Sequence, residues 1–110
     1  MTLSGTLSAT VEDGVVAFTF AVENTGDDPV GMQFADAQEF EVTLEDDGGT
    51  VWRYGEGQMF AQMLSSAELA PGESREYETE WTDPDEGEFR ATAELVATDA
   101  ECTAETEFST

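Results

Sequence analysis

Val15-Val16-Ala17-Phe18-Thr19-Phe20-Ala21-Val22-Glu23-Asn24 sets the large apolar Val16, Phe18, Phe20 and Val22 on one side and the small or polar Ala17, Thr19, Ala21 and Glu23 on the other. A period of two puts alternate side chains on opposite faces of an extended chain, so the stretch reads as a β-strand with one packed face. Before it, the Thr- and Ser-rich residues 3–11 reach it through Glu12-Asp13-Gly14, the composition of a tight turn. Together they predict a first hairpin. After it, Asn24-Thr25-Gly26-Asp27-Asp28-Pro29 breaks the strand.

The same reading extends along the chain. Val30–Phe34 is a short strand, and Phe40, Val42 and Leu44 alternate with Glu41, Thr43 and Glu45. Asp46-Asp47-Gly48-Gly49 turns the chain back into Val51-Trp52-Arg53-Tyr54, giving a second hairpin over residues 40–54. Residues 55–66 lack clean alternation and read as a structured loop, and Ala67-Glu68-Leu69 leads to a turn at Pro71-Gly72. In residues 74–81, Arg75, Tyr77, Thr79 and Trp81 oppose Glu76, Glu78 and Glu80. Asp83-Pro84-Asp85-Glu86-Gly87 ends that strand, and residues 89–96 pair next, with Phe89, Ala91, Ala93 and Leu95 inward. The final strand, residues 102–108, sets Cys102, Ala104, Thr106 and Phe108 inward.

Short one-faced strands separated by Gly, Pro and Asp turns predict an all-β, immunoglobulin-like antiparallel β-sandwich of about 7–8 strands. No crossover helix is available for a parallel sheet. The 110 residues allow a single domain, 1–110, with one core.

Against 26 Asp and Glu stand three Arg, with no Lys or His, for a formal charge of -23. A small domain ordinarily carries a net charge of about 2 to 8 in magnitude, so self-repulsion strains the compact state unless salt screens it. At about 1 M salt the Debye length falls to roughly 3 Å. The composition therefore predicts a halophile's protein, and the 39% of hydrophobic residues in period-two arrays argues against disorder. Nucleic acid and anionic membrane are excluded as partners by the charge. Residues 1–11 have no basic residue or apolar run of signal-peptide length, and no 18-residue apolar stretch occurs, so the expected location is the cytoplasm. Glu-rich edge strands favour a monomer.

The chemistry available is limited. Cys102 cannot form an internal disulfide and has no His or Lys to activate it, so it reads as a small strand residue. Without those residues, nucleophilic triads and Schiff bases are out, and the paired carboxylates show no apolar pocket signature. The chain is not expected to be an enzyme. Asp46-Asp47 and Asp83-x-Asp85-Glu86 could supply oxygen ligands but lack calcium-loop spacing, so neither a metal nor a cofactor is expected.

Trp52-Arg53, Phe60-Ala61-Gln62, Leu69-Ala70-Pro71-Gly72-Glu73, Tyr77, Trp81 and Gly87-Glu88-Phe89 occur in an order and spacing that resemble the BsuPI family of intracellular proteinase inhibitors. The Phe-rich strand ending in Asn24 and a Phe strand ahead of the Trp-Arg pair are similar as well. The resemblance covers residues 11–96, and the acidic composition suggests a haloarchaeal-type member. Many family members have Tyr where Phe89 stands, so a hydroxyl tie at that corner is replaced here by packing.

Each motif residue has a structural role open to it. Trp52 and Trp81 are expected to fill the space between the sheets, and Pro71-Gly72 to form a turn. Arg53 is expected in an ion pair or an aromatic stack, and Gln62 as a buried amide holding loop backbone. Two functions remain: an inhibitor of a subtilisin-like serine protease, which the resemblance implies, or a generic adaptor sandwich for protein–protein interaction. For inhibition the candidate is the loop 55–63 with the preceding tyrosine: Tyr54, Gly55, Glu56, Gly57, Gln58, Met59, Phe60 and Met63. Met59 suits a hydrophobic specificity pocket, although Met59 and Phe60 could equally plug the sandwich end. Residues 25–38, with Met32 and Phe34, rank second.

Overall fold

The computed structural model describes residues 3–56, 59–60 and 62–110. Among these residues nine strands form in order: β1 (Leu3–Glu12), β2 (Val15–Asn24), β3 (Val30–Phe34), β4 (Phe40–Asp46), β5 (Gly49–Arg53), β6 (Ser65–Leu69), β7 (Ser74–Thr82), β8 (Glu88–Leu95) and β9 (Thr103–Ser109). All pairings are antiparallel. One sheet has the order β1-β2-β7, a second β5-β4-β8-β9, and β3 pairs with β6 as a two-stranded ribbon. The protein is an immunoglobulin-like antiparallel sandwich. Among the described residues, no helix is long and apolar enough to cross a membrane.

The period-two expectation holds residue by residue. Val16, Phe18, Phe20 and Val22 are buried, as are Phe40, Val42 and Leu44 and the β8 set Phe89, Ala91, Ala93 and Leu95. Asp13 and Gly14 both take positive φ, 52° and 76°, the turn whose twist suits a two-residue hairpin. Two expectations are corrected. Ser65–Leu69, placed in or after a loop, is a strand, because its partner β3 lies far upstream and no local alternation announces it. Residues 89–96 do not pair with the strand before them: β7 pairs with β2, and β8 crosses to the other sheet between β4 and β9. Among the described residues nine strands thus stand where about seven or eight were expected.

Two aromatic systems fill the interior. At one end Phe18, Trp52, Trp81, Phe89 and Phe108 close a ring, with centroid separations of 6.2 Å (Phe18–Trp52), 6.4 Å (Trp52–Trp81), 5.1 Å (Trp81–Phe89), 5.6 Å (Phe89–Phe108) and 5.6 Å (Phe18–Phe108). Such separations are within the range where aromatic pairs attract beyond their buried area. Phe89 is held at its corner by Trp81 and Phe108, which supplies the packing its missing hydroxyl requires. At the edge, β1 approaches β9 so closely that a Cβ on Gly5 would lie 2.9 Å from both Cys102 Sγ and the Thr103 carbonyl oxygen. Cys102 is buried, and burial pushes its thiol pKa up, which keeps it protonated and unreactive.

Asn24, fully buried at the end of β2, joins three segments. Its Nδ2 donates to the carbonyls of Asp28 (2.7 Å) and Leu69 (3.0 Å), and its Oδ1 accepts from Gly26 N (2.9 Å). Its backbone carbonyl accepts from Gly72 N, and its own N–H donates to the Glu73 carbonyl. The Leu69-x-Pro71-Gly72-Glu73 motif is thereby explained: Gly72 takes φ +85°, Glu73 N closes the turn on the Ala70 carbonyl, and the Glu73 carboxylate accepts from Ala70 N. Replacing Asn24 by Ala leaves buried backbone groups without partners and should cost about 3 kcal/mol, read as a lower denaturation midpoint. Asn24→Asp, which cannot donate, should fare no better.

Candidate functional site

The loop after β5 starts from a fixed base. Phe40, buried at the start of β4, stacks on Tyr77 of β7 at 4.9 Å and on Tyr54 at 4.5 Å. Phe20 extends the ladder behind Tyr77 (6.2 Å) and Phe60 extends it beyond Tyr54 (6.0 Å). Five rings therefore run from the three-stranded sheet to the loop. The backbone is tied as well: the Glu41 carboxylate accepts from Gly55 N (2.9 Å) and Val42 N (3.0 Å). Gln38 Nε2 donates to the Phe40 carbonyl (3.0 Å) and to Glu41 (3.3 Å). A Cβ at Gly55 would come within 2.6 Å of Gln38 Nε2 and 2.7 Å of Glu41 Oε2, so glycine lets the two side chains close over the loop's first residue.

From this base Met59 projects, 99% exposed, while Phe60 is half-buried against Tyr54. The idea that both plug the sandwich end is therefore wrong for Met59 and right in part for Phe60. Met63 and Leu64 are also exposed, and Glu56 and Gln62 face solvent. Gln62 is not the buried amide that was expected; the amide closing this loop is Gln38, in the segment before β4. Gly57 and Gln58 lie outside the described residues, as does Ala61. In the second-ranked segment, Met32 and Phe34 are buried and unavailable to a partner.

Arg53 is exposed, and among the described residues it has neither an ion pair nor an aromatic stack, contrary to expectation. That role belongs to Arg75. Its Nη2 lies 3.0 Å from Glu39 Oε1, its Nε donates to Glu39 (3.1 Å) and to the Tyr77 hydroxyl (3.0 Å), and its guanidinium sits 5.8 Å from the Tyr77 ring centroid. Tyr77 in turn donates to Glu39 (2.9 Å). Burial works against the Arg75 charge, yet Tyr77 and Glu39 outweigh it and raise its pKa. Burial also raises the Tyr77 pKa, reinforced by Glu39 and opposed by Arg75. Sequence reasoning placed Arg75 and Tyr77 on one face but missed Glu39, which comes from an irregular segment with no periodic signal.

Trp52 and Trp81 do pack in the space between the sheets, Trp81 buried and Trp52 partly so, and Pro71-Gly72 forms the expected turn. Among the described residues, no group of three or more His, Cys, Asp or Glu side chains is arranged to hold a metal ion.

The arrangement is that of a β-sandwich from which a loop tied at Tyr54 and Gly55 presents the exposed Met59. The chain belongs to the BsuPI family, the intracellular proteinase inhibitors, whose sequence model matches residues 3–100. No curated protein matches it. Among solved structures it is similar to a penta-heme cytochrome c552 from Thermochromatium tepidum (TM-score 0.62, 10% identity, 97% of this chain and 40% of that one). It is also similar to a β-glucosidase from Kluyveromyces marxianus (0.55, 17%, 98% and 14%) and to a CARDB domain from Pyrococcus furiosus solved with di-metal ions (0.53, 17%, 97% and 85%). The chain thus spans well under half of the cytochrome and the glucosidase, and at these identities the likeness is one of fold.

The raised Tyr77 pKa has a defined consequence. Below about pH 10 the phenol is protonated folded or unfolded; above it the unfolded chain loses the proton while the folded chain keeps it. Stability should therefore fall as pH rises beyond about 10, and thermal unfolding of Tyr77→Phe between pH 8 and 11.5 should show a smaller fall together with a lower starting stability.

Proposed function

We propose that this chain inhibits a subtilisin-like serine protease of its own cell, binding as a monomer through the loop that begins at Tyr54. Membership in a proteinase-inhibitor family gives the class of partner. The observation that carries the reading is the fully exposed Met59 standing on a base fixed by the Tyr54–Phe60 contact and the Glu41–Gly55 hydrogen bond. An exposed apolar side chain on a held backbone enters a specificity pocket without the ordering cost a flexible peptide incurs. The other motif residues, Trp52, Pro71, Gly72 and Trp81, act as scaffold. The function needs no catalytic group, cofactor or metal of the chain's own.

Met59→Asp places a charge where an apolar pocket must accept it. Titrated into a subtilisin-like protease, it should inhibit at least about 10-fold more weakly than the wild type, with an unchanged melting temperature because Met59 is almost fully exposed. Undiminished inhibition would remove Met59 from the interface.

The charge of -23 supports the further proposal that the protein works in a halophile's cytoplasm. The melting temperature should rise steeply as KCl is raised from about 0.1 M to molar levels, where the Debye length shrinks from about 10 Å to 3 Å. A melting temperature indifferent to salt would contradict the halophilic assignment while leaving the inhibitor reading intact.

A further inference from the structure

The exposed apolar surface continues past Met59. Gln62, Met63 and Leu64 run into β6 without a turn or a bend, and Met63 and Leu64 are 63% and 85% exposed. Successive side chains of an extended chain point to opposite sides. Both sides are therefore unpacked here, whereas β2, β4 and β8 bury alternate residues. The backbone edge is open too: β6 pairs with β3 alone, in a register ending at Phe34↔Ser65, so its other edge is unpaired among the described residues. Natural edge strands are commonly guarded by charge, and β7 and β9 carry Glu76, Glu78 and Glu80 and Glu105 and Glu107. By contrast, residues 57–67 contain no Asp, Glu or Arg, in a chain of which 26% is charged.

Resting on the proposed protease reading, we infer that residues 62–66 are gripped as an added strand in the protease's substrate cleft, with Met63 and Leu64 entering subsites on opposite walls. Endoproteases hold their substrates as extended strands, with main-chain hydrogen bonds supplying affinity and side-chain pockets supplying specificity. A strand packed on one face can offer side chains to only one wall; this segment offers them to both. The lack of charge fits walls that are apolar and uncharged. The target is accordingly an endoprotease that accepts unbranched or γ-branched apolar side chains, rather than one that requires Arg, Lys or Asp. Met59, in this arrangement, enters a further apolar pocket of the same cleft.

The test titrates a purified subtilisin, in molar KCl, with the wild type and the Met63→Asp and Leu64→Asp variants, and a trypsin-like protease with Met63→Arg and Leu64→Arg. All four substitutions alter exposed side chains, so melting temperatures should match the wild type, and this is measured first. Each Asp variant should inhibit subtilisin at least about 100-fold more weakly, and one of the two Arg variants should gain at least about 10-fold in inhibition of the trypsin-like enzyme. Wild-type inhibition of subtilisin by either Asp variant overturns the strand assignment while the inhibitor reading stands. Failure of the wild-type chain to inhibit overturns that reading and the strand assignment with it.

Discussion

Phe40 lies between Tyr77 and Tyr54, and much of the protein's organisation depends on that three-ring stack. It joins the three-stranded sheet to the four-stranded one, and it also anchors the loop that leaves β5. In a chain with 26 acidic side chains, cohesion must come from inside. Aromatic rings supply it, because each buries a large apolar area and pairs at fixed separations. The closed ring around Trp52 and Trp81 does the same at the other end of the sandwich.

Polar groups are spent sparingly in this interior and each has a task. Asn24 closes the end of β2 over two turns, Glu41 and Gln38 hold the loop's first residue, and Glu39 gathers Arg75 and Tyr77. Of three arginines in the chain, one is committed to the Glu39 carboxylate beside the stack, where a paired charge is screened less than at the surface. Arg90 meets Glu107 only at 4.0 Å and well exposed, a geometry that contributes little.

The strands with one buried face were legible because alternation is local: Val16 to Val22 and Phe89 to Leu95 can be read without knowing their partners. β6 was not, since Ser65, Ser66 and Ala67 become a strand only by pairing with β3, more than thirty residues away. The same holds for side-chain networks. Arg75 and Tyr77 are two positions apart and visibly share a face, but Glu39 reaches them from across the sandwich. Arg53, expected in an ion pair or a stack, and Gln62, expected as a buried amide, misled because a motif position suggests a structural partner, while both in fact face solvent. Loop composition located the candidate site; only the structure separated Phe60, which packs, from Met59, Met63 and Leu64, which do not. The neutral gap over residues 57–67 was present in the sequence, and it gains meaning from the open edge of β6 beside it.

The central claim is that this sandwich binds a protease through the segment between Tyr54 and β6. Amide hydrogen exchange on the stoichiometric complex, compared with the free chain, tests it most directly. The account requires new protection over residues 59–66, with the β1 and β9 edges exchanging as before. Protection confined to β1 or β9, with residues 59–66 unaffected, would contradict it.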